Sequence, residues 1–69
     1  MAAMWVVKNH SGEVLQDLSA TSRLEVGLKV VTAPYDAFRL RVSSSYREQF
    51  DRAVSRTLDQ KHWRIVRVR

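Results

Sequence analysis

The chain has 69 residues, 45% of them hydrophobic, which suits one small folded domain (residues 1–69) and argues against disorder. It contains no cysteine and two histidines, which excludes disulfide frameworks, iron–sulfur clusters and thiol nucleophiles and leaves little for a metal site. The net charge is +5 and uneven: residues 1–38 hold three basic against four acidic side chains, residues 39–69 nine against three. So basic a C-terminal half, with arginine outnumbering lysine, points to an anionic partner.

Met1 to Val7 is apolar but too short for a signal-peptide core or a membrane span, and no small-residue cleavage site follows it. The expectation is a cytoplasmic protein with no membrane partner. Asn9-His10-Ser11 matches a glycosylation acceptor, a match expected to be accidental in a cytoplasmic protein.

Taken in chain order, Met4 to Val7 reads as a strand, and Asn9-His10-Ser11-Gly12 as a turn in which Gly12 can take positive φ. Glu13 to Leu18 reads as the returning strand, and Ser19 to Arg23 as a loop. Leu24, Val26, Leu28 and Val30 then alternate with polar residues and Gly27, the period of a half-buried strand. Ala33-Pro34-Tyr35-Asp36 supplies a turn, and Phe38, Leu40 and Val42 alternate with Arg39, Arg41 and Ser43 as the second strand of a hairpin. Ser45 and Glu48 have the spacing of a capping box, which opens a helix over about 45–61. Its apolar stripe is Tyr46, Phe50, Ala53, Val54, Thr57 and Leu58, with Glu48 and Arg52 spaced for an ion pair. Trp63 to Val68 closes the chain as a strand. The expected fold is therefore α+β, a small antiparallel or mixed sheet of four or five strands covered on one face by a single helix, in the order ββ-ββ-α-β.

Catalysis is poorly supplied. His10 falls in a turn and His62 at a helix end, the carboxylates sit mainly in turns and on the polar helix face, and Gly12 and Gly27 cannot build a phosphate loop. The expectation is a protein that is not an enzyme and carries no cofactor or metal. Binding is better supplied. On the expected strands, Arg39 and Arg41 point away from the core, Arg64 lies on one face of the last strand, and Arg67 and Arg69 lie on the other with Trp63. If the last strand pairs beside residues 38–42, these five arginines form one patch, with Trp63 at its edge or capping the core beneath Leu58. Five phosphate contacts would give a log–log salt slope of about −4. The competing reading makes the arginines a solvated sheet face. An uncovered sheet edge also allows a homodimer.

Phe38-Arg39-Leu40-Arg41-Val42, a serine-rich helix start, the helix with Glu48 and Ala53, and Trp63-Arg64-Ile65-Val66-Arg67-Val68-Arg69 together resemble the layout of the bacteriophage T7-type small inhibitors of host RNA polymerase. The resemblance covers roughly the last 35 residues and rests on a strand–helix–strand pattern with a short Arg-Val-Arg run. It implies a three-stranded sheet with one helix and a role for Arg67 in gripping the polymerase. Thr32 and Arg39 stand where that family has acidic residues. The leading expectation is a non-enzymatic protein of phage or mobile-element type that blocks a host nucleic-acid machine, RNA polymerase or a defence complex, by contact with an acidic surface. The alternative is a module that binds DNA or RNA directly through the same arginines.

Overall fold

The structure is a computed structural model and describes residues 2–69. Three α-helices and a two-stranded sheet make a helix-rich α+β domain, which replaces the expected four or five strands with one helix. Strand β1 (Trp5–Lys8) leads through a 3-10 turn (Gln16–Leu18) to helices α1 (Arg23–Val30), α2 (Ala37–Val42) and α3 (Ser44–Lys61), and strand β2 (Arg64–Arg67) closes the chain.

Strand β1 pairs antiparallel with β2, with Trp5 opposite Arg67, Val6 opposite Val66, Val7 opposite Ile65 and Lys8 opposite Arg64. On its other side β1 meets residues 14–20 only at isolated bridges, Trp5 with Ala20 and Lys8 with Val14. The expected return strand over Glu13 to Leu18 is thus reduced to single contacts and a 3-10 turn. The turn before it forms as expected: Gly12 has φ 85°, and Asn9 Oδ1 accepts from the backbone N–H groups of Ser11 and Glu13, each at 3.0 Å.

The segment expected as a strand at Leu24–Val30 lies in helix α1, and its alternation has a physical origin. Positions 24 and 28 lie on one side of a helix and positions 26 and 30 on nearly the opposite side. Val26 and Val30 pack with Val7 of β1, while Leu24 and Leu28 pack against a second cluster of Val31, Leu40, Phe50 and Val54. A helix buried on two opposite sides reproduces the period of a strand. Ser22 starts α1, its Oγ accepting from the Glu25 N–H at 3.2 Å.

Residues 37–42 are helix α2 rather than a hairpin strand. Asp36 caps it, Oδ1 accepting from the N–H groups of Phe38 at 2.9 Å and Arg39 at 3.3 Å, and Leu40 is its buried residue. Helix α3 carries the expected stripe, with Phe50 and Val54 buried and Tyr46, Ala53, Thr57 and Leu58 half-buried. Its cap is Ser43, whose Oγ accepts from the Tyr46 N–H at 3.3 Å, so the Ser45–Glu48 box does not form. Arg47 and Asp51 make the ion pair of this helix at 3.2 Å, in place of the expected Glu48–Arg52 pair. At its other end His62 turns the chain with left-handed φ 57°.

Candidate functional site

Two cationic groups emerge, at opposite ends of α3. The first is α2. Tyr46, in the first turns of α3, fastens it: the Tyr46 hydroxyl accepts from the Asp36 N–H at 2.9 Å, the Tyr35 ring stands edge-on to it at 5.7 Å, and the Arg39 guanidinium lies 4.5 Å from its ring centre. With Leu40 pointing into the core, Phe38 and Val42 occupy adjacent turns on the outside. They are 71% and 65% exposed. Arg39 and Arg41 are exposed on the same short helix. An exposed phenylalanine and valine at i and i+4, set among arginines, form an apolar anchor with a charged rim.

The second group surrounds β2. Register sorts its side chains by face. Arg67 shares a face with Trp5, Val7 and Ile65, and Arg64 shares the other with Lys8, Val6 and Val66. The Arg67 guanidinium lies 5.9 Å from the Trp5 ring centre, and its Nε donates to the Arg69 carbonyl at 2.7 Å. Lys8 and Arg64 stand directly opposite each other, a like-charge pairing that destabilises an isolated sheet. Trp63 is half-buried against the Val7–Val26–Val30 cluster, with Lys61 Nζ 4.9 Å from its ring centre. Trp63 thus packs on the core with Leu58, and it lines a shallow surface groove with Val14, Leu15 and Leu18 rather than the edge of an arginine patch.

The sequence-predicted residues are thus exposed except Trp63, but they do not join. Arg39 and Arg41 ride on α2 beside Tyr46, whereas Arg64, Arg67 and Arg69 follow the last turn of α3. Tyr46 and Lys61 are separated by about 22 Å of helix axis. The expected single patch required residues 38–42 to be a strand next to β2, and β2 pairs with β1 instead. Sequence reasoning missed Phe38, Val42 and Lys8. The strand reading puts Phe38 and Val42 on a core face; the contrary signal is Asp36, a cap residue that opens the helix carrying both.

Among the described residues no cluster of three or more His, Asp or Glu side chains is placed to hold a metal ion, and no helix is long and apolar enough to cross a membrane. Comparison with protein-family models, curated proteins and solved structures finds no match to this chain.

Proposed function

We propose that this chain is a small, non-enzymatic binding protein that works by protein–protein contact, lodging α2 in an apolar pocket rimmed by carboxylates on its partner. The observation that carries the reading is the exposed Phe38–Val42 pair between Arg39 and Arg41. Valine has neither charge nor ring to offer a nucleic acid, whereas a protein pocket with an acidic rim engages all four side chains. Burying one such apolar side chain in a partner is worth about 1.5–3 kcal/mol. Arginine forks match carboxylates at the rim.

The partner class is taken from the resemblance, which now rests on α3 and β2 alone: residues 38–42 are helical, and three helices with a two-stranded sheet replace the three strands and one helix that it implied. It is a nucleic-acid machine, host RNA polymerase or a nucleic-acid-guided defence complex, met by a protein of phage or mobile-element type. A second reading, direct binding of DNA or RNA, is favoured by the cations gathered at β2, where Lys8, Arg64, Arg67 and Arg69 carry no ion-pair partner among the described residues. Photo-crosslinking separates the two. With p-benzoylphenylalanine in place of Phe38, irradiation in bacterial lysate yields a discrete protein adduct, and the same group in place of Val68 does not yield that adduct. Adducts to nucleic acid alone would overturn the protein-contact reading.

A further inference from the structure

We propose that the open edge of β2 takes up an extended acidic segment of a partner protein as an added antiparallel strand. This surface is separate from α2, and the inference holds whether or not α2 docks. The hydrogen-bond pattern identifies the edge. Val68 N–H donates to Met4 O at 2.9 Å, so Val68 turns its N–H toward β1, and alternation along the antiparallel ladder makes Val6–Val66 and Lys8–Arg64 bonded pairs; the ladder loses its regular register at its end, where Met4 N–H donates to Arg69 O at 3.4 Å. Trp5 and Val7 direct their backbone groups the other way, toward residues 15 and 20: Trp5 N–H donates to Ala20 O at 2.8 Å, and Leu15 N–H donates to Val7 O at 2.8 Å. The residues opposite them on β2, Ile65 and Arg67, therefore turn their N–H and C=O groups outward from the sheet. An open edge is a template for another strand.

Charge selects the occupant. Arg64 lies on one face of this edge and Arg67 on the other, with Arg69 just beyond the strand, so an incoming strand runs between arginines above and below. A second copy of the chain brings three more arginines and a net charge of +5 to the same seam, and is repelled. A strand with carboxylates opposite Arg67 and Arg64, and a third near Arg69, is attracted. In antiparallel register the carboxylates opposite Arg67 and Arg64 fall at positions three and six of the incoming segment and the one near Arg69 at position one, with apolar or β-branched residues between.

The test is an amide NMR titration of the full chain with the capped peptide Glu-Val-Glu-Thr-Val-Glu. Strand addition shifts the Ile65 and Arg67 amides and slows their hydrogen exchange, with little change in α2. Two controls separate backbone pairing from charge alone. N-methylating the peptide at every second residue, on its β2-facing edge, abolishes binding, while methylating the alternate residues leaves it intact. Arg64→Ser and Arg67→Ser, checked for folding by their spectra, each weaken binding by about five-fold or less. Equal binding by both N-methylated peptides, the largest shifts in α2, or the same shifts with an unstructured DNA oligonucleotide would overturn the proposal. So would a concentration-dependent dimer without peptide.

Discussion

Replacing Gly27 with alanine sets two opposing effects against each other. In an exposed helix interior the change gains about 1 kcal/mol, because alanine has less backbone freedom to lose. Here the added Cβ would lie 2.8 Å from Phe50 Cζ and 3.2 Å from Val54 Cγ2. Phe50 is 2% exposed and its ring is held edge-on by Tyr35 at 5.1 Å, so it has little room to retreat. Overpacking of this kind costs about 1–3 kcal/mol. The net expectation is a loss of about 1 kcal/mol, which in so small a domain lowers Tm by about 4–8 °C. Thermal unfolding followed by circular dichroism measures it. Phe50→Leu removes the obstructing ring tip, so in that background Gly27→Ala should become neutral or stabilising, and the double-mutant cycle should show coupling of about 1 kcal/mol. A rise in Tm for Gly27→Ala alone would refute the close approach of α1 to α3 on which the core is built.

Three further outcomes follow from local geometry. His62→Gly should raise stability by about 1 kcal/mol in the same assay, since the left-handed backbone at the end of α3 suits glycine. Asp36→Ala removes the acceptor of two N–H groups and should cost about 1 kcal/mol, with loss of helical chemical shifts confined to residues 37–42. Asp51→Ala, which breaks an ion pair whose side chains are 40% and 49% exposed, should change stability by less than about 1 kcal/mol, and less still at high salt.

How far the sequence revealed this molecule depended on how each helix is buried. Helix α3 has one apolar stripe facing one core, so its period stood out, and β2 was legible from its β-branched run. Helix α1 is apolar on two opposite sides because it separates the Val7 cluster from the Phe50 cluster, and two opposite rows cannot be told from alternation by period alone. Ser22 and Glu25 carried the contrary signal, at the spacing that opens a helix. In α2 the exposed Phe38 and Val42 imitated the inward side of a strand around Leu40, an inference that assumes apolar residues face inward. The arginines of the candidate site were legible as residues but not as a surface. Their grouping depends on which strand neighbours β2, and that was set by the antiparallel match of Val6-Val7 with Ile65-Val66.

Capture from bacterial lysate separates protein contact from nucleic-acid binding, run with and without nuclease and comparing the wild-type chain, the Phe38→Ser/Val42→Ser variant and the Arg64→Ser/Arg67→Ser variant. Both substituted pairs leave the buried clusters untouched, and unchanged thermal unfolding of each variant verifies this. Docking through α2 predicts a stoichiometric protein partner that survives nuclease and is lost with Phe38 and Val42. Recovery that disappears with nuclease, is unaffected by the Phe38 and Val42 changes and falls with Arg64 and Arg67 would contradict it, and would make the chain a nucleic-acid-binding module.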